Sequence, residues 1–333
     1  MSRASAALIK ALMLEEGYAE PPPGLIAERA TAGPDAGLKG FFVELHGLRV
    51  RLAARRGARL KVGRDGSISL GGLPIARGAR VVVAHTHTPS QVFINLSTRC
   101  TLGCRFCATP RVGGVEVDEE ALVRVVEDRL SRGPISGVAL TCGVGGSIEA
   151  HVERLCRAVR AIRRRFGGSL AIGVEPYAVA RRHVEDLYSA GADEIKVNVE
   201  TFNPHLFKLL CPGKSLEAIM SALEHAASIF GRNRVCSNVL IGLGEGDEEV
   251  LAGAERLAEL GVVVDLRPLN VNPLIEGSLR EVAPWASRPR ASRLLRLAYA
   301  YKAILERHGL STLRFRTMCL ECTGCELVPQ RDL

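Results

Sequence analysis

The chain has 333 residues, of which 47% are apolar and 24% charged, and its formal net charge is +8. These proportions exclude a disordered or fibrous protein, and the length predicts about two domains or one barrel with extensions. The apolar runs are far shorter than the roughly 18 residues of a membrane span, and the N-terminus lacks a signal-peptide pattern. We therefore expect a cytoplasmic protein without a membrane partner.

The positive charge comes mainly from arginine residues, which are scattered without interleaved aromatic residues. This distribution is typical of solvated helix faces and does not favour a nucleic-acid partner. A basic surface also suits an acidic protein partner.

Residues 1–88 predict an N-terminal helix followed by a β-rich extension. The helical pattern runs from the start of the chain to about residue 23, where three consecutive prolines cannot continue it. Short alternating runs from Gly40 to Val83 indicate strands, and Asp65 and Gly66 form a hairpin-turn dipeptide between two of them.

Residues 89–310 alternate between short β-branched runs and amphipathic stretches, which predicts six βα units around a parallel sheet. The fold class is therefore α/β, a partial (β/α)6 TIM-type barrel, and residues 311–333 form a C-terminal tail. The predicted strands are Val92–Leu96, Val138–Thr141, Leu170–Val174, Glu194–Val199, Val235–Ile241 and Val262–Leu266. The predicted helices are Glu119–Leu130, Ile148–Arg165, Ala180–Ala190, Leu216–Phe230, Glu248–Leu260 and Ser292–His308.

Polar residues recur near the C-terminal ends of these strands, where such barrels collect their chemistry. Any one of them could be a cap or a satisfied core group, but their recurrence after successive strands predicts a pocket. They are Ser97, Cys142, Glu175, Asn198, Glu200, Ser237, Asn238, Arg267 and Asn270.

Three cysteines follow the first barrel strand on one short loop, Cys100, Cys104 and Cys107, in the spacing C-x3-C-x2-C. Three thiolates can hold three irons of a [4Fe-4S] cluster and leave the fourth iron open to a substrate or cofactor. A structural zinc ion is the alternative, although zinc usually takes four protein ligands, commonly as two separated pairs.

This spacing, with Phe106 before the last cysteine, resembles the signature of the radical S-adenosylmethionine (SAM) superfamily. The resemblance implies SAM as a cofactor of the open iron, with Phe106 beside its adenine. Gly145, Gly146 and Ser147 stand where the family has a Gly-Gly-Glu-like segment that receives the cofactor amino group, and the acid is missing here.

Two further stretches resemble biotin synthase, and they imply more cofactor-binding residues. The sequence NVET resembles its N-L-D-T motif, which implies that Asn198 and Glu200 contact the ribose and the substrate. The sequence VCSNVLIGLGE resembles its V-C-S-G-G-I-V-G-L-G-E segment, which implies Leu240 and Gly242 beside the adenine. Glu175, at the end of the third strand, completes the expected cofactor site.

The same resemblance places Cys142 and Cys236 at two ligand positions of the sulfur-donating [2Fe-2S] cluster of biotin synthase. The third position holds Gly173 or Val174, so that site is incomplete. Both cysteines can equally be small buried apolar residues.

A second triplet, Cys319, Cys322 and Cys325, has the spacing of the first three ligands of a ferredoxin-like run. The fourth position of that run is Pro329. We expect a second [4Fe-4S] cluster with a fourth ligand other than cysteine, and a zinc clip is the alternative. The tail has few apolar residues, so a metal centre is expected to fix its position.

Together with LCPGK, LRPLNVNP and the tail C-x2-C-T-G-C, these features resemble the archaeal two-component lipoyl synthases. The resemblance implies sulfur insertion into an octanoyl chain on a lipoyl carrier protein, with a second radical SAM protein and an external electron donor as partners. The alternative is another two-cluster radical SAM enzyme, such as a dehydrogenase, a methylase or a methylthiolation enzyme.

Overall fold

The computed structural model describes residues 2–25, 27–82 and 88–333. Helix α1 (Arg3–Glu16) begins at Ser2, whose side chain accepts a hydrogen bond from the Ser5 amide. It ends at Gly17, which has a φ of 66° and donates its N–H to the Met13 carbonyl. The helix is therefore shorter than predicted, because a glycine in the left-handed conformation caps it before the prolines are reached.

A mixed sheet follows α1 and confirms the β-rich extension. Its order is β2-β3-β4-β1-β5-β6-β7, with β8 paired to β3. The short β1 runs parallel to β4 and β5, and the remaining pairs are antiparallel. Its strands are β1 (Tyr18–Glu20), β2 (Glu28–Arg29), β3 (Lys39–Leu45), β4 (Leu48–Ala54), β5 (Leu60–Val62), β6 (Ile68–Leu70), β7 (Leu73–Ala76) and β8 (Arg80–Val82).

The hairpin turn predicted in the extension is present. The Asp65–Gly66 turn lies between β5 and β6 as expected, where the Asp65 carboxylate accepts hydrogen bonds from the amide and the hydroxyl of Ser67. Val83, the predicted end of the region, is outside the described residues.

Six parallel strands form the second sheet in the order β14-β13-β12-β11-β10-β9, which confirms the partial barrel. Among the described residues no pairing joins β9 to β14, so the barrel is open there. The strands are β9 (Val92–Asn95), β10 (Gly137–Thr141), β11 (Ala171–Glu175), β12 (Glu194–Lys196), β13 (Val235–Ile241) and β14 (Val263–Pro268).

Helices follow each barrel strand, as predicted, and two short helices were not anticipated from the sequence. The predicted ones are α2 (Glu119–Ser131), α3 (Ile148–Phe166), α4 (Arg181–Ala190), α6 (Leu216–Phe230), α7 (Asp247–Glu259) and α9 (Ala291–Arg307). The additional ones are α5 (Pro204–Leu210) and α8 (Glu276–Val282).

Helix α9 connects two apolar cores. Its Leu297 and Tyr301 pack in the barrel core, whereas Ala291 and Leu294 pack with α1 and the N-terminal sheet. The barrel strands are buried on both faces, as β13 shows with seven buried residues out of seven. The extension is therefore joined to the barrel by shared apolar burial.

The expectation that the tail lacks the means to hold itself by burial is wrong. Phe315, Leu320 and Val328 are buried in the barrel core, and Leu327 is buried in the N-terminal core. The tail also forms a short helix, α10 (Met318–Cys322), and a buried ion pair joins its Asp332 to Lys10 on α1 at 2.6 Å. Polypeptide contacts thus fix the tail.

Within the described part of the chain, no helix is both long enough and apolar enough to cross a bilayer.

Candidate active site

One cavity, with an empty volume of about 1310 Å³, opens among the barrel strands and contains both cysteine triplets in its lining. The lining cysteines are Cys100, Cys104, Cys107, Cys142, Cys319, Cys322 and Cys325. All are free thiols. The predicted pocket at the strand ends therefore receives thiols from two distant parts of the sequence.

The first triplet lies on the loop that follows β9. Cys104 is next to the buried Cys211, which hydrogen-bonds to it and, with a smaller contribution from Lys214, lowers the pKa of the Cys104 thiol. Burial raises the pKa of Cys107 to about 11 in the absence of metal. Iron binding to these thiols is therefore accompanied by release of their protons.

A network of side chains crosses the ends of β11, β12 and β13. The Asn198 amide donates to Glu175 at 2.6 Å, and Lys214 pairs with Glu200 at 2.8 Å. Glu200 has a φ of 65°, a left-handed conformation that is uncommon for a residue with a side chain. Although burial opposes its charge, Glu200 and then Cys104 raise the pKa of Lys214 well above its usual value.

The cofactor-site residues predicted from the sequence fall into two groups. Those that line the cavity are Phe106, Glu175, Asn198, Glu200 and Leu240. Those outside its lining are Gly145, Gly146, Ser147 and Gly242.

The second group occupies two turns near the cavity. Ser147 caps α3, and its hydroxyl accepts a hydrogen bond from the Ala150 amide at 3.1 Å. The Gly242 amide donates to Glu245 at 2.8 Å. Their cofactor-binding roles stay predictions.

The tail reaches the cavity through the interior of the barrel. A Cβ atom on Gly173 of β11 would collide with the hydroxyl and Cβ of Thr317, so the missing side chain makes room for the tail. The Glu194 carboxylate on β12 accepts hydrogen bonds from the Thr317 amide at 3.0 Å and from its hydroxyl at 2.5 Å. Tail residues thus fill the barrel interior beside Gly173, the position that corresponds to the missing third cysteine of the biotin synthase [2Fe-2S] site.

Two cations face the second triplet. Lys196 on β12 is completely buried, pairs with Asp265 on β14 at 2.9 Å, and donates a hydrogen bond to the Cys319 sulfur at 3.1 Å. Arg267 pairs with Asp35 at 3.1 Å, and although burial opposes its charge, Cys325 and then Asp35 raise its pKa well above the usual value. Cations beside thiolates stabilise the charged form.

Each triplet offers three thiols, which is the kind of donor that iron–sulfur clusters use. Among the described residues, no three cysteine, histidine, aspartate or glutamate side chains are arranged to hold one metal ion. In a cluster each thiolate binds a different iron, so its ligands lie farther apart than those of a single ion. The first triplet offers three such thiols at the edge of an open cavity, with room for a further ligand.

Residues 94–257 match the radical SAM superfamily, and they include the first triplet and five of the six barrel strands in whole or in part. The chain contains a radical SAM domain. Such a domain implies a [4Fe-4S] cluster and SAM. Cys100, Cys104 and Cys107, which are free thiols inside the matched range, stay the predicted ligands of that cluster.

Relatives of this radical SAM domain include biotin synthases and lipoyl synthases. The chain is 28% identical over 189 residues to biotin synthase 2 of Corynebacterium diphtheriae, covering 55% of each chain. It is 29% identical over 181 residues to the lipoyl synthase of Thermus thermophilus, covering 53% of this chain and 55% of that protein. The chain thus spans about half the length of the curated relatives it matches.

The fold also resembles that of a protein of known structure. Methylornithine synthase (PylB) has a TM-score of 0.51 and 20% identity, over 65% of this chain and 64% of that one. This likeness concerns the fold alone.

Sequence reasoning missed several buried charged residues around the cavity, although some left a signal. Lys196 and Asp265 each lie between two apolar residues in a buried segment, and a charge at such a position indicates a buried partner. Lys214 lies in the LCPGK segment, whose sequence does not indicate the ion pair with Glu200. Nothing local marks Asp35, whose partners are distant in the sequence.

Proposed function

We propose that this chain is a radical SAM enzyme that inserts sulfur into an octanoyl chain carried by a lipoyl carrier protein. The observation that carries the proposal is the presence of both cysteine triplets in the lining of a single cavity. A substrate bound there is exposed to both centres at once. When bound, the first cluster with SAM supplies hydrogen abstraction from an unactivated C–H bond, and the second supplies sulfide.

The cavity wall suits a fatty acyl chain. Its lining includes apolar side chains besides the predicted adenine contacts, so the wall can bury methylene groups at about 0.8 kcal/mol each. These apolar residues include Phe93, Leu102, Val144 and Met318. The polar network of Glu175, Asn198 and Glu200 is left to hold the polar cofactor.

Buried charged side chains lie beside both proposed clusters, which are anionic. Lys214 and Glu200 are paired beside the first triplet, whereas Lys196 and Arg267 lie beside the second. These groups are fixed by the fold, so their orientation needs little reorganisation. The net charge of +8 favours encounter with an acidic carrier domain and an acidic electron donor.

The test is anaerobic turnover with SAM, a reductant and an octanoyl-lysine peptide, with and without a second radical SAM protein. The clusters are assembled from isotopically heavy sulfide. We expect heavy sulfur in the peptide product. Cleavage of SAM without a thiolated peptide, or sulfur that carries no label, would contradict the proposal.

Similarity to biotin synthases favours a second candidate, sulfur insertion into a free small molecule. In that case the same assay would give a labelled product from small carboxylic acids and none from the peptide. The structure argues against a biotin-type [2Fe-2S] site, because Thr317 occupies the space beside Gly173 where a third cysteine would stand.

A further inference from the structure

The carboxylate of Glu326 differs from the other acidic groups around the second triplet. Asp265 also lacks a hydrogen bond among the described residues but is ion-paired with Lys196, whereas Glu326 has neither. Glu326 follows Cys325 directly, is 1% exposed, and lines the cavity together with Cys319, Cys322 and Cys325. Both of its carboxylate oxygens are buried without a hydrogen-bond partner within the described ranges, and it takes part in no ion pair there. Burying a carboxylate in this state is costly, so such a group indicates a missing partner.

Neighbouring donors and acceptors are already in use. Gln91 bonds through both ends of its amide to the Met318 backbone, at 2.7 Å in each case. Arg267 is paired with Asp35, and Lys196 is paired with Asp265. The side-chain oxygen of Asn238 also lacks a hydrogen-bond partner in the described ranges, but the amide nitrogen of this residue donates to Glu200 in the network that reaches the first triplet.

We propose that the Glu326 carboxylate is the fourth protein ligand of the cluster held by Cys319, Cys322 and Cys325. The inference rests on the proposed function, which requires a cluster at this triplet. Three thiolates bind three irons, and a carboxylate oxygen, which suits iron but is a harder donor, binds the fourth. Position 329, where a ferredoxin-like run has its fourth cysteine, is proline and cannot serve.

This ligand would give the second cluster one corner unlike the other three. A carboxylate is a weaker partner for an iron–sulfur cluster than a thiolate, so the iron that it holds exchanges more readily. Such a corner suits a cluster that must release sulfide. The first triplet, in contrast, leaves its fourth iron to SAM.

The experiment uses the full-length chain with Cys100→Ala, Cys104→Ala and Cys107→Ala, so that only the tail cluster assembles. Glu326→Gln is compared in this background with Glu321→Gln. Glu321 is a matched control because it lies on the same tail beside Cys322, but its carboxylate is paired with Arg331 at 3.1 Å and does not line the cavity. We measure the iron content per chain, the electron paramagnetic resonance spectrum and the rate at which a chelator removes iron.

We expect Glu326→Gln to lose about one of its four irons on mild oxidation and to show the spectrum of a [3Fe-4S] cluster. The Glu321→Gln chain keeps all four under the same treatment. Glu326→Cys, which replaces the weaker ligand by a thiolate, should release iron more slowly than the parent chain. This gain of cluster stability cannot arise from misfolding.

Equal iron content and equal chelation rates in the Glu326→Gln and Glu321→Gln chains would overturn the ligand assignment while leaving the second cluster intact. Unchanged chelation in Glu326→Cys would overturn it as well. Failure of the parent background to assemble any cluster would overturn both the assignment and the second cluster of the proposed function.

Discussion

Lys196 donates a hydrogen bond from its ammonium group to the Cys319 sulfur over 3.1 Å, and so connects the central strand β12 to the tail. The same ammonium pairs with Asp265 at 2.9 Å, and neither side chain reaches solvent. Although burial opposes the charge, Asp265 and then Cys319 raise the pKa of Lys196 well above its usual value. A buried cation therefore links a barrel carboxylate to a proposed cluster ligand.

Lys196→Met should destabilise the chain and weaken the second cluster. The substitution leaves Asp265 charged and unpaired in the barrel, which costs about 3–5 kcal/mol of unfolding free energy. Anaerobic urea unfolding measures the stability, and iron analysis measures the cluster.

The double variant Lys196→Met/Asp265→Leu separates the two effects. It removes the unpaired carboxylate, so stability should return while the hydrogen bond to Cys319 stays absent. If Lys196→Met is as stable as the parent protein, the ion pair between Lys196 and Asp265 does not stabilise the fold.

Gly173→Ala should expel the tail from the barrel without disturbing the first triplet. The new methyl group would collide with Thr317, which is buried and bonded to Glu194. We expect about four irons per chain instead of about eight, with reductive cleavage of SAM retained.

Gly277→Ala is the matched control, because a Cβ atom there meets no described atom within 4 Å apart from its chain neighbours and the backbone of its own helix. Its iron content should equal that of the parent chain. Should Gly173→Ala also retain about eight irons, the proposed path of the tail through the barrel would be wrong.

Stability should depend on His151 at mildly acidic pH. Its Nε2 accepts a hydrogen bond from the Tyr177 amide at 3.0 Å, and burial lowers its pKa to about 4. The unfolded chain binds a proton near pH 6.5 and the folded chain only near 4, so folding stability is lost as the pH falls between these values. Between about pH 7 and pH 5 the loss is roughly 2 kcal/mol.

His151→Gln keeps an acceptor for the Tyr177 amide and removes the titrating group. The difference between parent and variant unfolding free energies, measured anaerobically across this pH range, isolates the contribution of His151. A difference that does not change with pH would refute the assignment.

Glu245→Gln should weaken the binding of SAM. The carboxylate accepts hydrogen bonds from the amides of Gly242 and Leu243, both at 2.8 Å, and pairs with Arg293 at 2.9 Å. Loss of one charge-assisted hydrogen bond costs about 1.4 kcal/mol. If the whole cost falls on ligand binding, the affinity for SAM becomes roughly tenfold weaker. Equilibrium dialysis measures this affinity.

The exposed Glu248, at the start of α7, provides the control variant Glu248→Gln. If both variants bind SAM as the parent does, the turn after β13 does not shape the cofactor site.

The barrel was predictable because its strands and helices carry periodic signals within single segments. Parallel strands buried on both faces read as short β-branched runs, and β13 matches its predicted bounds of Val235–Ile241. The polar residues at the strand ends were predictable for the same reason, since the carboxyl ends of parallel strands meet at one edge. Six of the nine line the cavity.

The path of the tail could not be predicted, because it depends on contacts between distant segments. Gly173 gave no hint that Thr317 fills the space beside it, and the few apolar residues of the tail suggested weak packing. Likewise, the sequence around Glu326 does not show that its carboxylate is buried and has no hydrogen-bond partner among the residues that the structure describes. Such features follow from the three-dimensional arrangement alone.

Metal analysis tests the two-cluster account most directly. We measure iron, acid-labile sulfide and zinc in the anaerobically reconstituted chain and in its Cys319→Ala/Cys322→Ala/Cys325→Ala variant. Mössbauer spectra identify the clusters. The account predicts about eight irons per chain in the parent and about four in the variant, with no zinc. About four irons in both, or zinc at the tail, would contradict it.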